Sequence, residues 1–107
     1  MITIKVRKKN GSYEEFISKG HAGYAEEGQD IICAAVSALV INTVNSLEQL
    51  TETDSVVTAE EESGKIYLKL NRVDEKGTLL LDAMVLGLQN VVAEYGKRYL
   101  KLIIKEV

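Results

Sequence analysis

The sequence has no proline, a single cysteine and a single histidine in 107 residues, and each scarcity removes a class of explanation. Without proline, no helix is broken from within and no cis X–Pro peptide is expected. One cysteine cannot close an internal disulfide. With only one histidine to join it, a zinc site would have to rest on carboxylates, so no metal and no other cofactor is expected. Long apolar runs are missing as well: Ile31 to Ile41 covers 11 residues and includes Ser37, whereas a membrane-spanning helix needs about 20. That run reads as a buried helix, and no membrane partner is expected. The start, Met1-Ile2-Thr3-Ile4-Lys5-Val6, alternates like a strand and lacks the basic and apolar regions of a signal peptide, which points to the cytoplasm. Positive charge is also not in excess. The 13 basic residues face 16 acidic ones, net −3, with no basic stripe along the chain, so direct nucleic-acid contact is not expected and a basic or neutral partner suits better.

What is present is enough for one core. With 46% apolar and 27% charged residues, residues 1–107 form a single domain. Ile2, Ile4 and Val6 alternate with Thr3, Lys5 and Arg7, and Asn10-Gly11 supplies a type I′ turn into a second strand at about 12–19. In that strand Tyr13, Glu15 and Ile17 alternate with Glu14, Phe16 and Ser18. Residues 31–50 read as a helix capped by Asp30. It is apolar on almost every side at first, which predicts burial on two sides, against the sheet and against a second subunit. Residues 55–62 and 65–71 form a second hairpin around Ser63-Gly64, with Ile66, Leu68 and Leu70 on one face, and 71–77 connects. Leu81, Met84, Val85, Leu88, Val92 and Tyr95 mark a second helix ending near Gly96, placed for a left-handed cap. Leu100, Leu102 and Ile104 alternate in a last strand. The expected class is α+β: a two-layer sandwich with a mixed β-sheet and two helices on one face, in the order ββαββαβ.

The chemistry concentrates in one stretch, Gly20-His21-Ala22-Gly23-Tyr24-Ala25-Glu26-Glu27-Gly28-Gln29-Asp30-Ile31-Ile32-Cys33. With Asp30 as cap, Cys33 is the third helical residue, where unpaired N–H groups carry partial positive charge and favour a thiolate. His21 lies twelve residues earlier, across a loop with Gly20, Gly23 and Gly28 as hinges that let imidazole meet sulfur. The N–H groups of the first turn, that of Cys33 among them, would then receive the oxyanion of an acyl intermediate. Asp30 has two possible jobs, capping the helix or orienting His21. Each residue also has a plain reading. Cysteine in an apolar helix is commonly a small core side chain, histidine beside a strand end a turn residue, and Ser37 a packed serine bonded to a backbone carbonyl, with positioning of the site as its other reading. Gly23 to Gly28 has phosphate-loop spacing, but Gln29-Asp30 stands where lysine and a hydroxyl belong, and Glu26-Glu27 would repel phosphate. Glu60-Glu61-Glu62 alternates faces at a strand end and reads as solvated.

Taken together, Gly20-His21-Ala22 and Gly28-Gln29-Asp30-Ile31-Ile32-Cys33-Ala34-Ala35-Val36-Ser37 resemble the signature of the ribosomal processing cysteine protease family, Prp. The resemblance implies a cytoplasmic bacterial endopeptidase, a homodimer, that removes an N-terminal leader from the twenty-seventh large-subunit ribosomal protein. It implies that His21 and Cys33 form the catalytic pair, with Asp30 and Ser37 at supporting positions and a mobile loop between histidine and cysteine. Glu26 and Glu27 would attract a basic ribosomal substrate. The rival reading is a dimeric, ribosome-associated binding module without enzymatic activity; a small thioesterase or acyltransferase also fits a Cys–His pair.

Overall fold

The chain is described here by a computed structural model covering residues 1–20, 30–60 and 63–107. The N-terminal alternation forms strands β1 (Ile2–Lys9) and β2 (Ser12–Lys19), paired antiparallel. Asn10 and Gly11 turn between them with φ of 52° and 79°, the two positive angles that a type I′ turn requires. The pairing slips once: Arg7 faces Glu15, but Lys8 faces Tyr13. One extra residue on β2 reverses its alternation, which corrects the sequence reading. Tyr13 lands on the same side as Phe16 and is buried, while Glu15 and Ile17 keep to the other side. Its hydroxyl donates to Asp82 Oδ1 at 2.5 Å, and Lys8 Nζ lies 4.7 Å from the ring centroid. Burial first, then the Asp82 bond, hold that hydroxyl well above the usual tyrosine range.

Helix α1 (Ile31–Leu50) leads to β3 (Asp54–Glu60) and β4 (Lys65–Arg72), then α2 (Glu75–Tyr95) leads to β5 (Leu100–Glu106). The order is the expected ββαββαβ. The strands form one five-stranded sheet ordered β3-β4-β2-β1-β5, parallel only between β1 and β5. One face supplies Ile4, Val6, Phe16, Leu68 and Leu100 to a core closed by Ile32, Val36, Val40 and Leu47 of α1 and Leu81, Met84 and Leu88 of α2. The layers are therefore two, with both helices on the same side. Both helices are long and apolar enough to cross a membrane by length and composition alone, but one side of each is committed to this core. The outer side of α1 carries Ile31 and Ile41, each about half exposed.

The second helix begins earlier than its apolar periodicity suggests. Residues 75–77 were expected to connect, yet they form the first turn of α2, because Asp74 caps it: Oδ1 accepts from Gly77 N at 2.8 Å and from Thr53 Oγ1 at 2.9 Å, and Oδ2 accepts from Glu52 N at 3.0 Å. Gly77 is a helical residue chosen for space, since a Cβ there would collide with Thr53 Oγ1. At the other end Gly96 adopts φ 94°, ψ 164° and donates its N–H to Val92 O at 2.7 Å. This is an extended, glycine-only conformation instead of the left-handed cap expected.

Asp74 gives a pH prediction. The bonds from Gly77 and then Glu52 hold its carboxyl below the ordinary carboxylate range. Its contribution is therefore complete above the unfolded value of about 3.9 and is lost as pH falls through the lower folded value. Urea midpoints of wild type and Asp74→Asn should differ at pH 7 and converge as the pH falls through the lowered folded value.

Candidate active site

The site is assembled at the start of α1. Asp30 keeps an extended backbone, φ −79° and ψ 100°, so its side chain folds forward over the first turn. Oδ1 accepts from both Ile32 N and Cys33 N at 3.0 Å, and Asp30 O accepts from Ala34 N at 3.0 Å. Asp30 is thus the expected helix cap, and Cys33 is the third helical residue, within the positive end of the helix dipole. The two amide bonds direct one carboxylate oxygen to the helix backbone. That eases the conflict between an acidic neighbour and a thiolate at Cys33.

The cap also corrects the expected oxyanion donors. The Cys33 N–H already donates to Asp30, as does that of Ile32. A side-chain cap that takes the second and third amides leaves the first, and among the described residues the Ile31 N–H is the opening amide with no acceptor. The cap pattern held that signal, and the sequence reading passed over it.

Cys33 is half-buried and packs at the margin of the core. Its direction follows from the helix. Leu39 faces α2, where a Cβ on Gly87 would stand 3.0 Å from its Cδ2. At about 100° per residue, Cys33 lies roughly 240° behind Leu39, on the flank turned from α2 together with Ser37 and Val44. α1 contacts β3 whereas α2 contacts β5, so this flank looks over the β3–β4 half of the sheet. The thiol is neither sealed beneath the core nor on the outermost surface.

Ser37 departs from expectation. It is exposed, and among the described residues it bonds no backbone carbonyl. The reason is rotational: the core-facing Val36 and Val40 lie about 100° and 60° away around the helix, both in the same sense, so Ser37 stands beyond the edge of the buried stripe. Gly20 sits where β2 ends, at φ 93°, and a Cβ there would stand 2.6 Å from the Met1 carbonyl oxygen. Glycine is needed at that point for both reasons. His21, Gly23, Glu26, Glu27, Gly28, Glu61 and Glu62 lie outside the described residues. Gly20 and Asp30 are the described residues on either side of the segment that carries His21.

Asp30 yields a test that separates its two possible jobs. Asn caps nearly as well as Asp, whereas Ala loses about 1 kcal/mol. If capping is its whole contribution, Asp30→Asn keeps both thermal stability and turnover; a fall in kcat with unchanged melting identifies a role for its charge at the reacting groups.

Comparison with known proteins places this geometry in context. A family model described as Cysteine protease Prp matches residues 1–101. A Bacillus subtilis protein named ribosomal processing cysteine protease Prp is 31% identical over 101 residues, 89% of this chain and 90% of that protein. The Staphylococcus aureus ribosomal processing protease Prp, solved with a covalently linked product peptide, superposes with a TM-score of 0.92 at 28% identity, covering 98% of this chain and 100% of that one. The same S. aureus protein solved with a substrate peptide gives a TM-score of 0.84 with the same coverage and identity.

Proposed function

This chain belongs to the Prp family of cysteine proteases, and on that footing we propose that it removes the N-terminal leader of the twenty-seventh large-subunit ribosomal protein, in the bacterial cytoplasm and as a homodimer, through a Cys33–His21 pair. The observation that carries the mechanism is the position of Cys33, third in a capped helix and half-buried at the edge of the core. There the helix dipole favours the thiolate while substrate can reach the sulfur. The product peptide covalently linked in the S. aureus structure supports chemistry through a covalent intermediate.

The steps follow from this placement. His21 takes the Cys33 proton, and Sγ attacks the scissile carbonyl carbon to give a tetrahedral oxyanion. The imidazolium returns its proton to the leaving amine as the C–N bond breaks, leaving a thioester. His21 then takes a proton from water, the hydroxide attacks the thioester, and the C–S bond breaks to release the leader carboxylate and reprotonated Cys33. Glu26 and Glu27 favour encounter with a basic substrate, mainly through the association rate.

Incubating the chain with leader-bearing ribosomal protein and measuring intact masses tests the reading. One defined cut, releasing the leader, is the expected result. Stable association with no change in mass identifies a binding module instead, and cleavage confined to unrelated thioesters identifies an acyl hydrolase.

A further inference from the structure

The sheet face turned from the helices takes no part in this chemistry, and the strand register gives it a composition of its own. One row across it runs Val56, Lys69, Glu15, Arg7, Lys105; the next runs Thr58, Tyr67, Ile17, Lys5, Ile103. Beyond them Lys19 and Lys101 flank Thr3, and Lys65 opens β4. Lys5, Arg7, Lys19, Lys65, Lys69, Lys101 and Lys105 stand here, against Glu14, Glu15 and Glu60 among the described acidic residues. The face is positive although the chain is −3 overall. Strands about 4.8 Å apart, with same-face residues about 6.8 Å apart along each, put neighbouring cations within a Debye length of about 10 Å, so they act as one field.

The acidic groups are partly engaged. Glu15 Oε2 accepts the Tyr67 hydroxyl at 2.8 Å, and Glu14 Oε2 lies 3.4 Å from Arg7 Nε, near enough for attraction without hydrogen-bond geometry. The Tyr67 bond fixes its ring in the middle row beside Ile17. Next to it a depression of about 310 Å³ is lined by Lys5, Arg7, Glu15, Ile17, Ile103 and Lys105.

Cations ringing a shallow band that holds an aromatic and two aliphatic side chains match a flexible polyanion with flat apolar bases. A second copy meeting this face about a two-fold axis would bring like charges together, and a basic ribosomal segment would be repelled. An anionic membrane would attract the lysines, but Ile17 and Ile103 are half-buried and Val56 is a single exposed aliphatic at the edge, too small an apolar face to insert. We infer that the outer face of the sheet binds single-stranded RNA, with the lysines and Arg7 on phosphates and Tyr67 stacking against a base. The expectation from composition, that the chain makes no direct nucleic-acid contact, missed this because the cations are scattered along the chain and only strand pairing gathers them.

The inference rests on neither Cys33 nor the leader, so its test is independent of the proposed protease activity. The probe is a fluorescein-labelled oligouridine of about 20 nucleotides, titrated with the full chain at several salt concentrations and followed by anisotropy. Contacts to about five phosphates predict a slope of roughly −3.5 in log K against log salt. Reversing Lys5, Lys69 and Lys101 to Glu should weaken binding by more than tenfold, and replacing the same three by Gln should flatten the slope by about 2. Tyr67→Leu should cost about fivefold with the slope unchanged. Lys76→Glu, in the first turn of α2 and away from this face, should leave affinity within twofold. Melting curves report that each variant is folded. Absence of salt-dependent binding, or an equal loss on reversing Lys76, would overturn the inference. So would tighter binding to phosphatidylserine vesicles than to the oligonucleotide, which would assign the face to a membrane.

Discussion

Replacing Cys33 by alanine should lower leader cleavage by roughly 10⁴-fold or more while leaving the affinity for the leader peptide within a few fold. The size of the effect comes from the absence of any substitute. Cys33 is the sole cysteine of the chain, and Ser37, the nearest hydroxyl along the helix, is exposed and a full turn away. An unactivated serine hydroxyl is also a far weaker nucleophile than a thiolate at neutral pH. The fold should tolerate the change, because Cys33 packs at the margin of the core and alanine is the better helix former. Single-turnover cleavage followed by mass, together with peptide binding by anisotropy, separates the two quantities. Residual turnover of a few per cent would mean that another group attacks the peptide bond.

The largest effect on stability is expected at Phe16. It is 1% exposed in β2, the central strand, facing Val6 on one neighbour and Leu68 on the other. Alanine there loses the transfer energy of the ring and leaves a cavity that three hydrogen-bonded strands cannot collapse to fill, at a cost of about 3–5 kcal/mol. Small domains hold a total of about 5–15 kcal/mol. Phe16→Ala should therefore lower the melting temperature by roughly 15 °C or more, and a shift of only a few degrees would show that the sheet and helices can close over the gap.

The fold was readable wherever a residue's neighbours in sequence decide its conformation. Asn10-Gly11 demanded its turn, Asp30 its helix, and the spacing of Leu81, Met84, Val85 and Leu88 a second one. The expectation failed where a decision lay across space. The slip between Arg7 and Lys8 that turns Tyr13 inward is a property of two strands, not of either alone. Gly77 looked like a connector because its reason, the crowding by Thr53, lies 24 residues away in sequence. The basic sheet face was invisible for the same cause. At the site, the cap, the place of Cys33 on the helix and the amides that a capping carboxylate takes were all legible in the spacing; the half-burial of Cys33 and the exposure of Ser37 were not, because they depend on where the sheet lies beneath the helix.

The claim on which the protease reading depends is that the Cys33 thiol is activated at the head of α1 by His21. Its most direct measurement is the rate of iodoacetamide alkylation of native protein across pH, for wild type and His21→Ala. The account predicts that Cys33 reacts faster than a simple thiol near neutral pH, with an ionisation below the ordinary cysteine value of about 8.5, and that His21→Ala slows it towards the simple thiol. A native thiol that hardly reacts, or one that reacts equally with and without His21, would contradict it.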